Sequence, residues 1–138
     1  MRKYKIIFTG PVGAGKTTAI AAISDKPPIS TNEAASDMTT SRKSQTTVAM
    51  DYGVKYLDNS DILHVYGTPG QERFNFMWDI LTAGGLGLML LIDNRRDNPF
   101  GDLSFYLNEF KEFIDSTAVA IGVVGTDIKA KPYLQDYQ

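Results

Sequence analysis

Residues Gly10-Pro11-Val12-Gly13-Ala14-Gly15-Lys16-Thr17 spell G-x-x-x-x-G-K-T, directly after the apolar run Tyr4-Lys5-Ile6-Ile7-Phe8. Glycines at this spacing let successive backbone N–H groups surround an anion, the lysine brings a positive charge to it, and the threonine hydroxyl offers a metal ligand. That chemistry is phosphate binding. The bland alternative is a glycine-rich strand-to-helix turn with an incidental lysine. The motif works only where a buried strand ends and a helix opens, because the anion sits at the helix N-terminus. Ile6, Ile7 and Phe8 predict the strand, and Thr17-Thr18-Ala19-Ile20-Ala21-Ala22-Ile23 predicts the helix, with Ile20 and Ile23 sharing a face.

The remaining elements follow from pattern. Residues 29–45, rich in Ser, Thr, Asn and Asp, show no hydrophobic period and read as a long loop. Thr47 to Leu57 is strand-like, with Val48, Met50, Tyr52, Val54 and Tyr56 on one side. Asp58-Asn59-Ser60-Asp61 turns into Ile62-Leu63-His64-Val65-Tyr66, and a connection so short forces antiparallel pairing. A helical stretch over Glu72 to Leu81, a strand buried on both faces at Leu86 to Ile92, an amphipathic helix over Leu103 to Ile114 and a last strand at Ala118 to Val124 complete the order. Parallel strands joined by crossover helices predict an α/β fold with a doubly wound sheet, its ligand lying outside the carboxyl ends of the strands.

Composition narrows the class. A chain of 138 residues that is 43% hydrophobic and 22% charged suits one domain over 1–138. A net charge of -2 speaks against nucleic-acid binding, which needs a basic excess. With no cysteine there are no disulfides, thiolate metal sites or prenyl and palmitoyl anchors. The run Leu86 to Ile92 is far short of the roughly 20 residues a bilayer requires. Met1-Arg2-Lys3-Tyr4 leads straight into the first strand, so no signal peptide is expected and a cytoplasmic chain is.

The phosphate loop alone fits a kinase, an ATPase or a GTPase. Two further segments carry a resemblance. Thr47-Val48-Ala49-Met50-Asp51-Tyr52-Gly53 resembles the end of switch I in Rab-type small GTPases, and Gly67-Thr68-Pro69-Gly70-Gln71-Glu72-Arg73-Phe74 resembles their switch II, D-x-x-G-Q-E-R-F. Both stand at the expected distances, so the similarity spans nearly the whole chain, and the proline before Gly70 resembles the bacterial, MglA-type and roadblock-associated group. The resemblance implies a Ras-like fold that binds GTP or GDP with Mg²⁺. Gly10 and the segment Gly13, Ala14, Gly15, Lys16, Thr17 and Thr18 would cradle the phosphates. Thr17 and Thr47 would ligate Mg²⁺, and Gly70 would contact the γ-phosphate. Gln71 would orient the attacking water, or is an ordinary exposed glutamine. Arg42, beside Lys43 in the switch I loop, would act as a cis arginine on the γ-phosphate, or is half of a solvated basic pair.

Three departures stand beside the match. Gly67 replaces the aspartate of D-x-x-G, with Asp93 a distant candidate substitute. At the base, Val124-Gly125-Thr126-Asp127 replaces N-K-x-D, leaving Asp127 either as the reader of guanine or as a loop aspartate. Beyond the segment around Asp127 that follows the last strand only residues 131–138 remain, where such folds add a strand and a helix, which predicts an open sheet edge and exposed apolar surface. His64 has no Cys or His companion and reads as structural; Trp78 reads as core or as a partner-facing patch; Arg95 and Arg96 are undecided between the nucleotide side and the surface. The expected function is a slow, partner-assisted GTP-hydrolysing switch with a roadblock-type partner, the alternative a non-hydrolysing nucleotide-binding scaffold. A small P-loop kinase ranks third, for want of a lid.

Overall fold

The computed structural model describes residues 2–30, 51–68 and 76–138. They form β1 (Lys3–Thr9), α1 (Lys16–Ile23), β2 (Ile29–Ser30), β3 (Asp51–Tyr56), β4 (Ile62–Gly67), α2 (Phe76–Thr82), β5 (Gly87–Asp93), α3 (Pro99–Glu109), α4 (Lys111–Ser116) and β6 (Val119–Val124), followed by a 3₁₀ turn at Leu134–Tyr137. The strands make one six-stranded sheet in the order β2-β3-β4-β1-β5-β6. β1 pairs in parallel with β4 and β5, and β5 with β6, while β3 runs antiparallel to both β2 and β4. The doubly wound sheet with one reversed strand is therefore the observed architecture.

Two apolar layers hold it. On one face Ile7, Leu88, Leu90 and Ile92 meet Trp78, Tyr106 and Phe110 from the helices. On the other, Phe8, Val65 and Leu91 meet Ala14 and Ile20. Trp78 settles as core: it is 3% exposed and its ring stacks on Phe110 at 4.9 Å. His64 is structural, its Nδ1 hydrogen-bonded to the Tyr52 hydroxyl at 2.6 Å.

Several elements differ in detail from expectation. The single helix expected over Leu103 to Ile114 is two, α3 and α4, meeting at Phe110, whose φ of -101° and ψ of 15° leave helical geometry while its ring stays buried. It also begins earlier, at Pro99, because Asn98 caps it by accepting from the Gly101 N–H at 3.1 Å. Tyr52 and Val54 share a face as expected, but the more deeply buried face of β3 is the opposite one, carrying Asp51 and Gly53. The reason is α1, which lies so close that a Cβ on Gly53 would meet Ile20 Cγ2 at 2.9 Å. Val48, Met50 and the start of the helix expected at Glu72 lie outside the described residues.

Among the described residues β6 forms one edge of the sheet and β2 the other. Beside α1, the face formed by β1, β5 and β6 holds an open apolar groove of about 270 Å³ between Ile6, Met89 and Ala120, with Ile121 exposed on the edge strand. Residues after β6 turn back to the sheet: buried Asn94 donates to the Lys129 and Pro132 carbonyls at 2.7 and 3.0 Å and accepts from the Tyr137 hydroxyl.

Candidate functional site

The carboxyl ends of β1, β4, β5 and β6 all open on one rim, and because β3 runs the other way its first residue, Asp51, joins them. The phosphate loop leaves β1 there. Gly10, Gly13 and Gly15 take φ of 148°, 83° and 96°, values that L side chains resist. These turns bring Ala14 down into the core, 1% exposed, and leave Gly15 as the N-cap of α1, with no side-chain cap and no acid in the first turn. Uncapped N–H groups and the positive end of the helix dipole then face the rim, which is what an anion needs.

Lys16 folds over this loop. Its Nζ donates to the Gly10 and Pro11 carbonyls at 2.7 and 2.9 Å. Burial disfavours the charged form and lowers its pKa from 10.5 to about 8, with Asp51 pulling the other way. Beside it, the Thr17 hydroxyl donates to Asp51 Oδ2 at 2.6 Å.

The other half of the rim is a cavity of about 390 Å³ between Gly13, Thr18, Arg95, Gly125, Asp127 and Ile128. Asp127 sits in the turn after β6, closed by Ile128 and Lys129 N–H groups donating to the Gly125 carbonyl. Arg95 lines this cavity, and Arg96 is on the surface with Asp102. Arg95 grips Asp93 with Nε at 2.8 Å and Nη2 at 2.9 Å, and Nη2 reaches the Gly13 carbonyl at 3.3 Å. This pairing holds the Asp93 carboxyl below the usual range, chiefly through the guanidinium hydrogen bonds. With both oxygens bound to Arg95, Asp93 does not serve as the substitute acid for Gly67.

Of the residues expected at the site, Gly13, Ala14, Gly15, Thr18 and Asp127 line this cavity, and Gly10, Lys16 and Thr17 lie on the loop and helix start beside it. Arg42, Thr47, Gly70 and Gln71 lie outside the described residues. Sequence reasoning missed Asp51 as a site residue and left Arg95 undecided. A Cβ on Gly125 would lie 2.8 Å from Arg95 Cγ, so the arginine stem occupies the space a side chain at the lysine position of N-K-x-D would enter.

A parallel sheet with a reversed hairpin, a phosphate loop at the N-terminus of α1 and a cavity at the strand ends together define a P-loop nucleotide-binding fold of the Ras-like type. The family described as "Conserved hypothetical ATP binding protein" matches residues 26–109, more than half of the chain, and the chain belongs to that family. The match includes neither the phosphate loop nor Asp127. Among curated proteins the chain is similar to the Ras-related protein Rab-18 of Lymnaea stagnalis, 26% identical over 90% of this chain and 57% of the relative. It is similar also to the GTP-binding protein YPT1 of Saccharomyces cerevisiae, 26% identical over 93% of this chain and 58% of the relative, and to RABA1h of Arabidopsis thaliana, 22% identical over 84% and 49%. The chain spans about half the length of the curated relatives it matches. No helix among the described residues is long and apolar enough to cross a membrane.

Proposed function

We propose that this chain is a Ras-like G domain over 1–138, a switch that binds GTP or GDP with Mg²⁺ and hydrolyses GTP slowly, assisted by a partner. The observation that carries the reading is the buried Lys16 ammonium held on the phosphate loop beside a 390 Å³ cavity at the strand ends. The GTPase character is supported by the Ras-related relatives, at low identity, and by Gly70-Gln71 in the sequence. The chemistry of the donors fits magnesium: a threonine hydroxyl beside a buried carboxylate, completed by phosphate oxygens and water. Bound there, the metal would neutralise phosphate charge. On this reading Gly13 to Thr18 hold the phosphates, Thr47 and Gly70 sense the γ-phosphate, Gln71 positions water and Arg42 adds charge stabilisation. The glycine at 67 and the Pro69-Gly70-Gln71 sequence favour the bacterial MglA-type group and, with it, a roadblock-type cytoplasmic partner.

Purified protein offered GTP and ATP with Mg²⁺ tests this. GTP should bind more tightly and release phosphate, and Gln71→Leu should stop release by a factor of about a hundred or more without loss of binding. Preferential ATP binding would overturn the guanine assignment, and binding without release from any nucleotide would make the chain a scaffold.

The cavity side has its own expected result. A guanidinium braced by Asp93 and laid along Gly125 offers a flat cation to a base. Arg95→Ala should weaken GDP binding about two- to fivefold, the worth of one exposed cation–π contact of about 0.5–1 kcal/mol. Tripolyphosphate, which has no base, should bind the variant and the wild type alike in a competition titration.

A further inference from the structure

Asp51 and Asp93 are the buried carboxylates among the described residues. Asp93 is satisfied by Arg95. Asp51 is not: Oδ2 accepts from the Thr17 hydroxyl at 2.6 Å, while Oδ1 is buried with no partner among the described residues. A carboxylate oxygen in that position is strongly unfavourable unless a donor or cation meets it. It also stands one hydrogen bond from the hydroxyl that a phosphate loop gives to its metal.

The β3–β4 ladder explains how the acid comes to be there. Asp51 lies directly opposite Gly67, the position at which D-x-x-G would carry its aspartate. A Cβ built on Gly67 would sit 3.3 Å from Asp51 Cβ and 3.5 Å from Asp51 Oδ2. The carboxylate absent from one strand is supplied, into the same space, by its neighbour across the ladder. Glycine at 67 is what leaves that space open.

We propose that Asp51 is the metal-facing carboxylate of this site, presenting Oδ1 to a nucleotide-bound Mg²⁺ directly or through a coordinated water and replacing the acid missing at position 67. The proposal rests on the nucleotide-binding reading above. Among the described residues no three acids or histidines gather. One carboxylate, one threonine hydroxyl, phosphate oxygens and water are the kind of set that holds Mg²⁺, which is seldom caged by protein alone. The acid's charge also reaches Lys16, which places it at the phosphate end of the site and not the base end.

Release of a fluorescent GDP analogue, measured in Mg²⁺ and in EDTA, tests the assignment with no appeal to hydrolysis. Wild-type protein should release the analogue at least about tenfold faster in EDTA. Asp51→Asn should bring that ratio to within about twofold of unity, and Mn²⁺ titration of its GDP complex by electron paramagnetic resonance should show affinity about tenfold or more weaker. Asp51→Asn should melt in EDTA, without nucleotide, at or above the wild-type temperature, because a neutral amide loses less hydration on burial than a carboxylate whose Oδ1 has no partner among the described residues. The relocation variant Asp51→Gly with Gly67→Asp should recover most of the magnesium dependence, since the new Cβ displaces only the Ile20 Cδ1 methyl. An acid that merely braces Thr17 would lower the EDTA melting temperature and leave the release ratio intact; that result, or a wild-type ratio in either Asp51→Asn or a folded Asp51→Ala, overturns the proposal while nucleotide binding stands. Wild-type protein that retains no nucleotide in either condition overturns the nucleotide reading and this assignment with it.

Discussion

Lys16→Met should lower affinity for GDP and GTP by about a hundred- to a thousandfold while the protein stays folded. The ammonium is the charged donor of the loop, and charge-assisted hydrogen bonds contribute about 1.5–3 kcal/mol each, or one to two decades in affinity. Its present partners, the Gly10 and Pro11 carbonyls, hold it over the loop where phosphate oxygens would replace or join them. The pH dependence follows from its lowered pKa, near 8 in the fold against 10.5 unfolded. Between these values the folded chain binds fewer protons than the unfolded one, so stability rises with pH through that window, and below pH 8 burial of the charge costs about 3 kcal/mol. Phosphate raises the same pKa, so nucleotide affinity should be flat up to pH 8 and then fall by up to tenfold per unit. Lys16→Met removes both slopes. Loss of the two carbonyl bonds opposes the relief of burying a charge, so its melting temperature should stay within a few degrees of wild type. Isothermal titration from pH 6.5 to 9.5 and melting in the same buffers read these outcomes; a wild-type affinity slope in the variant would remove Lys16 from the phosphate site.

The phosphate loop was legible because each of its requirements is local: a strand before, glycines within, a helix after. The hairpin was legible for the same reason, and it carried more information than its motif. A turn at Asp58 to Asp61 that pairs Tyr56 with Ile62 also pairs Asp51 with Gly67, by counting back along both strands. The substitute acid was therefore within reach of register arithmetic, and was missed because motif reading runs along the chain while the replacement lies across a ladder. Arg95 repeats the pattern at the base side, filling the space beside Gly125 from the neighbouring strand end. In both places glycine stands where the family pattern has a charged residue, and a side chain of the same sign enters from the next strand. What composition could not show was the break at Phe110, since Leu103, Tyr106, Phe110 and Phe113 keep an unbroken helical stripe through it. β2 was invisible because two residues hold no period.

Gly10→Ala should be the most damaging small substitution in the chain, lowering stability by roughly 2–5 kcal/mol. A Cβ at Gly10 would lie 2.2 Å from the Leu91 carbonyl oxygen and 3.2 Å from its carbon, both backbone atoms of strand β5, which is paired on both sides by β1 and β6. Neither atom can swing away as a side chain would. Relief requires moving the loop or opening the ladder that pairs Thr9 with Leu90, next to the most deeply buried residues of the sheet. Overpacking costs about 1–3 kcal/mol, and a φ of 148° adds strain for any residue with a Cβ. Against a total stability of about 5–15 kcal/mol, that is a fall in melting temperature of about 10 °C or more. Gly13→Ala is the internal control. It shares a positive φ, 83°, but its Cβ would meet nothing within 4 Å, so it should cost about 1 kcal/mol from backbone strain alone. Thermal melting followed by circular dichroism separates the two. Equal losses in both variants would mean that the loop yields at Gly10 as freely as at Gly13, and that the phosphate loop is not locked to β5 through that contact.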